Sequence, residues 1–122
     1  MIGIFVHDTR AIKYALAIVM GYKPIETRFR NMLRPCIGHR VAIIQTGFGW
    51  PQIVGYADIT SASFCPADQL DQFRDQTLIP PGSKFDSDTR GKWFYHMASP
   101  EACKPYPLPD TAIRHGRSWC EF

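Results

Sequence analysis

The segment from Gly21 to Arg30, which follows an apolar helical run, constrains the fold of this chain more than any other stretch. It places one lysine, one glutamate and two arginines within eight residues. If the chain after Pro24 is a strand, its period of two sends the charged side chains to one face and Thr27 with its apolar neighbours to the other. The charged face would carry Glu26, Arg28 and Arg30. Such a row suits a polar cleft on a small β-fold, and it is equally typical of an ordinary solvent-facing strand.

The amounts of proline, glycine and cysteine narrow the class of protein. At 122 residues the chain is long enough for one domain with its own core, and we expect a single domain over residues 1–122. Ten prolines and nine glycines favour many turns and a β-rich fold over an all-helical one. The four cysteines are scattered without a metal-ligand spacing, and no export signal precedes them. We therefore expect free thiols, a cytoplasmic location, and neither a metal nor another cofactor.

The basic and acidic side chains are unevenly distributed along the sequence. Residues 23–40 hold five basic side chains against one acidic, a net charge of +4, whereas residues 57–89 hold two against six, a net charge of −4. A basic zone of this size is compatible with partners that carry phosphate. No apolar run reaches the roughly 20 residues that a membrane-spanning helix needs, so no membrane partner is expected. The pattern does not indicate an oligomeric state.

Hydrophobic periodicity and turn residues predict the order of the elements. The predicted strands are Ile2–Val6, the segment after Pro24, Val41–Thr46, Ile53–Thr60, Lys92–Ala98 and a short C-terminal piece within Arg114–Phe122. The predicted helices are Ala11–Met20, which follows an N-cap at Asp8 or Thr9 and is followed by Gly21, and Ala67–Gln76. Leu78–Gly91 and Ser99–Asp110 are predicted to be irregular. This order does not alternate strand and helix, so we expect an α+β fold: a partly closed mixed β-barrel of five or six strands with two or more helices packed at its openings.

The helix end and the charged segment together resemble a known family. The chain has Gly21, Lys23, Ile25, Glu26 and Arg28 in a Gly-x-Lys-x-x-Glu-x-Arg pattern, followed by the strands Val41–Thr46 and Ile53–Ile59 and by an aromatic strand at Lys92–Met97. This arrangement resembles the ASCH domain of the PUA-like superfamily over most of residues 9–98. The resemblance implies a barrel whose cleft beside the first helix binds RNA or a modified nucleotide.

The resemblance also implies two possible enzymatic activities. One branch of the family hydrolyses N4-acetylcytidine with the motif lysine and a threonine, and another has been proposed to cut RNA with the same lysine and no metal. The lysine corresponds to Lys23 here. The threonine position, however, is occupied by Glu26, and Thr27 follows one residue later.

Each motif residue has a functional and a structural interpretation. Lys23, set against an apolar helix end, would lose hydration and have a lowered pKa, as a catalytic or phosphate-binding lysine does; the alternative is an exposed turn residue. Glu26 is either a general base or an acceptor for the exocyclic amine of a nucleic-acid base; the alternative is one half of a neighbour pair with Arg28. Arg28 either binds a phosphate or carboxylate in bidentate fashion or holds the cleft in shape through Glu26.

Outside the motif, three residues are further ligand-binding candidates. Trp50 lies on a glycine-rich turn, where an indole either stacks on a base or covers the end of the barrel. Arg117 and Ser118 would reach the cleft if the terminal strand closes the barrel. The favoured function is binding of RNA or a modified nucleoside or nucleotide. The alternatives are a metal-independent hydrolase with Lys23 and Glu26 as catalytic residues, and a protein-interaction module.

Overall fold

The computed structural model describes residues 1–122 as seven strands, two short α-helices and two 3₁₀ helices. The strands are β1 (Ile2–His7), β2 (Ile25–Arg28), β3 (Arg40–Thr46), β4 (Gln52–Cys65), β5 (Lys92–Pro107), β6 (Ile113–His115) and β7 (Trp119–Glu121). The α-helices are α1 (Tyr14–Val19) and α2 (Arg74–Thr77), and the 3₁₀ helices cover Arg34–Cys36 and Ala67–Phe73. None of the helices is long and apolar enough to cross a membrane.

The seven strands form one mixed sheet in the order β2-β5-β4-β3-β1-β7-β6. β1 and β3 are parallel, and the other neighbouring pairs are antiparallel. The edge strands β2 and β6 do not pair, so the sheet is open and the predicted closed arrangement of backbone hydrogen bonds is absent. The sheet is nevertheless curved, as a contact between strands four positions apart in the sheet order shows: Arg28 on β2 donates from Nη2 to the carbonyl oxygen of Phe5 on β1 at 2.5 Å.

The central strands are buried on both faces. On β1 and β3 the side chains of Ile4, Val6 and Ile43 belong to the main core beneath α1, whereas Phe5 and Ile44 belong to a second core on the opposite face. This two-sided burial explains why these strands are continuous apolar runs rather than alternating ones. The second face is covered by the chain beyond β5, which contributes Leu108, Ala112 and Cys120.

Two predicted strands, β4 and β5, are longer in the structure than predicted. β4 continues to Cys65 and β5 to Pro107, and the two strands pair along their length through three register shifts. The segment from Ser99 onward was predicted to be irregular because it contains four prolines. β2 pairs only with Trp93–His96, so the later part of β5 has a partner on one side alone. A proline that faces an unpaired side costs the sheet no hydrogen bond.

The helices differ from the prediction at their boundaries. α1 begins at Tyr14, because the preceding residues form a turn in which Ile12 donates to Thr9 Oγ1 at 3.1 Å. Asp8 instead reaches the first turn of α1 and accepts from the Ala15 amide at 3.1 Å. The predicted helix over Ala67–Gln76 is a 3₁₀ helix followed by α2, although Leu70 is buried as its periodicity predicted.

Replacing Asp8 with alanine should lower the free energy of unfolding by about 2 kcal/mol, because the Ala15 amide and the Gln45 side chain lose their buried acceptor. Chemical denaturation measures this loss. The matched control is Asp110→Ala at an exposed position, which should change stability by less than about 0.5 kcal/mol. Equal effects of the two substitutions would contradict the structural role of Asp8.

Candidate functional site

A cavity of about 680 Å³ opens in the concave region of the curved sheet, between β1, β2 and the loop that follows α2. All three charged motif residues line it. The lining includes six basic side chains and one acidic side chain: Lys23, Arg28, Lys84, Lys92, Arg114 and Arg117 against Glu26. The remaining walls are mostly aromatic or aliphatic. A mainly apolar chamber with an excess of cations is suited to a ligand that has both a flat apolar part and a negative charge.

The end of α1 positions Lys23. Gly21 has φ +84° and follows the helix, with its amide bonded to the Ile18 carbonyl, while the Tyr22 amide bonds to the Ala17 carbonyl. This pair of bonds is a Schellman motif, which requires a left-handed residue that glycine adopts without strain. The Lys23 amide also bonds to Ala17 at 3.0 Å, so the backbone of Lys23 is held directly against the helix end.

The Lys23 side chain is 1% exposed, so it is not an exposed turn lysine. Its Nζ donates to the Thr77 carbonyl, lies 3.6 Å from Glu26 Oε1, and sits 5.2 Å from the centroid of the Tyr14 ring. Burial lowers the pKa of Lys23, and the nearby Glu26 opposes this effect. The direction of the shift is the one that the sequence predicts.

Glu26 lies between the two motif cations. Its Oε2 accepts from Arg28 Nη2 at 2.9 Å and from Arg28 Nε at 3.3 Å. Burial by itself raises the pKa of Glu26, but Arg28 and then Lys23 outweigh it, so the pKa is lowered overall. Glu26 is therefore an ionised carboxylate with two cationic partners, which matches the ion-pair interpretation more closely than that of a free general base.

The donors of Arg28 are largely used within the protein. Besides Glu26, the guanidinium donates to the Phe5 carbonyl, and Nη1 lies 4.0 Å from Met32 Sδ. A bidentate contact with a ligand would have to replace one of these bonds. The geometry thus favours the role in which Arg28 holds the cleft in shape and joins β2 to β1.

Strict alternation along β2 is wrong for this site. Thr27 and Phe29 were predicted to point away from Glu26 and Arg28, yet all four residues line the cavity. β2 is a four-residue edge strand that ends at Arg28, so the period of two does not extend to Phe29. Thr27 lies inside β2 and still lines the cavity, one residue after Glu26.

Of the three candidates outside the motif, one lines the cavity and two do not. Arg117 lines the cavity. Ser118 does not, but its hydroxyl donates to Sδ of the lining residue Met32 at 2.9 Å. Trp50 is outside the lining, is 54% exposed, and donates from Nε1 to the Leu108 carbonyl at 3.1 Å. The structure thus brings the motif and Arg117 together, and leaves Trp50 on a separate surface.

Among the deeply buried cations of the cavity, sequence reasoning missed Lys92. It is the first residue of β5, is 2% exposed, and lines the cavity. Burial lowers its pKa to about 8. The only signal in the sequence is alternation, which puts Lys92 on the same face as the buried Phe94, and a lysine at the start of a strand is normally solvated. No group of three or more His, Cys, Asp or Glu side chains in the chain lies close enough to hold a metal ion.

No protein-family model matches the chain, and no curated protein matches it. Solved structures are similar in fold. The crystal structure of ASCH from Zymomonas mobilis has a TM-score of 0.69 at 18% identity, over 87% of this chain and 73% of that one. A tyrosine-to-phenylalanine and a serine-to-alanine mutant of that protein each give a TM-score of 0.69 at 16% identity, over 87% of this chain and 76% and 74% of theirs. At this level of identity the likeness concerns the fold, and the chain has an ASCH-type fold.

Proposed function

We propose that the chain is an RNA-binding or modified-nucleotide-binding domain of the ASCH type, and that the cavity lined by Lys23, Glu26 and Arg28 holds the ligand. The excess of cations around a mainly apolar chamber carries this proposal. A volume of about 680 Å³ is within the usual range for a small-molecule site. Such a cavity has room for one nucleotide.

The aromatic lining supports a base as the flat part of the ligand. Phe5, Tyr14, Phe29 and Phe85 all line the cavity, and Tyr14 and Phe85 meet edge to face with centroids 5.8 Å apart. Stacking of a base on such rings contributes about 1–3 kcal/mol and tolerates any base. Trp50 retains its proposed stacking role only for a ligand that extends beyond the cavity, as an RNA strand does. Arg117 and Ser118 would then contact the same strand at the rim.

Titration with short RNAs and with plain and modified nucleosides and nucleotides should detect binding, and Lys23→Ala should weaken it at least about tenfold by removing a buried charged donor. Fluorescence or NMR titration measures both affinities. Lys104→Ala, which removes an exposed lysine outside the cavity, is the matched control and should bind as the wild type does. Failure of every probe to bind the wild-type protein would refute the proposed function.

The second candidate function is a metal-independent hydrolase that uses Lys23. The observation in its favour is that a buried lysine of lowered pKa and the hydroxyl-bearing Thr27 line the same cavity. Turnover separates it from simple binding: in a hydrolase, Lys23→Ala stops product formation at concentrations where N4-acetylcytidine or RNA still binds. A wild-type protein with no activity on either substrate removes this candidate. The third interpretation, a protein-interaction module, would be favoured by an exposed apolar patch near Trp50 without a cation-lined cleft; the six basic side chains that line the cavity support ligand binding instead.

A further inference from the structure

Lys92 is a buried cation without a carboxylate partner. Its Nζ makes one hydrogen bond, to the Phe85 carbonyl at 2.6 Å, and lies 4.7 Å from the centroid of the Phe29 ring. No carboxylate oxygen lies within 4.0 Å of it. An ammonium group has three donors, so two remain without an acceptor.

Glu26 and Asp86 are the two carboxylates that interact electrostatically with Lys92, and both already have other partners. Glu26 is paired with Arg28 and Lys23. Asp86, in the loop after α2, accepts from Arg74 at 2.8 Å and from the Gly82 amide at 2.7 Å. Neither carboxylate can turn toward Lys92 without breaking these bonds. A buried charge that lacks a partner is costly, and proteins retain such groups where a ligand or a reaction uses them.

The three motif residues differ from Lys92 in this respect. Lys23, Glu26 and Arg28 contact one another and the backbone of Thr77 and Phe5, so most of their donors are occupied. Among the deeply buried cations of the cavity, Lys92 therefore has the most hydrogen-bonding capacity left for a ligand. The rim cations Lys84, Arg114 and Arg117 are exposed and can attract an anion toward the opening, but they do not desolvate it.

We propose that the cavity selects ligands that carry a phosphate group and that Lys92 is the residue that binds this phosphate. The inference rests on the proposed function: the base and ribose of a nucleotide are uncharged near neutral pH, so the phosphate is the group that can compensate Lys92. It deepens that function by separating nucleotides from nucleosides. The phosphate is either a terminal monoester or an internal diester of RNA, and both offer the same anionic oxygens.

The test compares affinities within one protein. The probes are the four ribonucleosides, their 5′- and 3′-monophosphates, and dinucleoside monophosphates that have only an internal diester. Wild-type protein should bind at least one phosphorylated class about tenfold or more tightly than the matching nucleoside, as expected for a charge-assisted hydrogen bond. The class that is preferred shows whether a terminal or an internal phosphate is bound.

Lys92→Met should remove this preference, whereas Lys92→Arg, which keeps the charge, should retain part of it. Lys104→Met is the control for charge alone and should keep the full preference. Because the readout is a ratio of two affinities in the same variant, any loss of folded protein cancels. A wild-type protein that binds nucleosides as tightly as nucleotides, or a preference that persists in Lys92→Met, would overturn the role of Lys92 while the proposed function stands. If neither these probes nor the short RNAs and modified nucleosides and nucleotides of the first titration bind, the proposed function itself fails, and the role of Lys92 fails with it.

Discussion

Replacing Glu26 with glutamine should lower the free energy of unfolding by about 3–5 kcal/mol, the usual cost of removing one partner from a buried ion pair. The side chain keeps its size, but the neutral amide leaves Lys23 and Arg28 buried without their carboxylate. The cost falls on two cations rather than one, and one of them joins β2 to β1 through the Phe5 carbonyl. Urea denaturation measures the loss.

Glu101→Gln is the matched control for this prediction. Glu101 pairs with Arg40 at 2.7 Å, but its side chain is 63% exposed, so its loss should cost at most about 1 kcal/mol. A loss at Glu26 no larger than that at Glu101 would contradict the buried network. The dependence of stability on pH in the acid range gives a second check. The pKa of Glu26 is lower in the folded protein than in the unfolded chain, where it is near 4.5. Its contribution to stability is therefore present above pH 4.5 and is lost as the pH falls through the folded pKa. Glu26→Gln should not show that loss of stability at acid pH.

Lys92→Met should have the opposite effect and raise the free energy of unfolding at pH 7 by about 1–3 kcal/mol, because it replaces a buried unpaired charge with an apolar side chain of similar length. Burial lowers the pKa of Lys92 from 10.5 to about 8. The unfolded chain therefore binds more protons than the folded one between these values, and the wild type gains stability as the pH rises from about 8 to 10.5. The gain due to Lys92 is about 3 kcal/mol at 1.36 kcal/mol for each pKa unit.

The difference between wild type and Lys92→Met isolates this gain from other titrations. The charged and titratable groups around Lys92 and its cavity are present in both proteins: Glu26, Arg28, Lys23, Asp86, Lys84, Arg90, Arg74, Tyr14, His7, Arg114 and Arg117. Burial also raises the pKa of Cys36 to about 11, which reduces stability at high pH, but equally in both proteins. Denaturation curves at several pH values measure the difference, which should shrink from pH 8 to pH 10.5. A difference in the free energy of unfolding that does not change with pH, or a Lys92→Met variant that is less stable than the wild type at pH 7, would show that the buried charge of Lys92 does not destabilise the fold.

The sequence predicted that the motif residues of the candidate site lie together, because their arrangement is local. A glycine that ends a helix, a lysine two residues later and a strand after Pro24 place Lys23 and Glu26 together through short-range geometry alone. Lys92 was missed because its burial depends on the loop that includes Phe85 and on the approach of β2, both set by tertiary packing. Trp50 was predicted from a turn that exposes an indole, and no local rule states which side of the sheet that turn faces.

All six predicted strands are present, but the predicted count of five or six is wrong because the C-terminal piece forms two strands, β6 and β7, and the predicted closure is absent. The apolar runs of β1 and β3 follow directly from burial on both faces. The lengths of β4 and β5 depend on which neighbouring strands pair with them. In the sequence, a proline looks as if it ends a strand, even where it faces an unpaired side and costs the sheet no hydrogen bond. Whether a curved sheet closes depends on its two edge strands, and here the edges are the short β2 and β6, whose separation no residue pattern reports.

The position of β1 between β3 and β7 affects when the cavity can exist. Residues that line the cavity range from Phe5 to Arg117, and β7 docks beside a strand formed more than a hundred residues earlier. Contacts of such sequence separation are slow to form, because a large loop must close first. During folding, we therefore expect Arg114 and Arg117 to join the cavity after its other walls have formed. A ligand that needs those walls recognises only the completed fold and stabilises it by mass action.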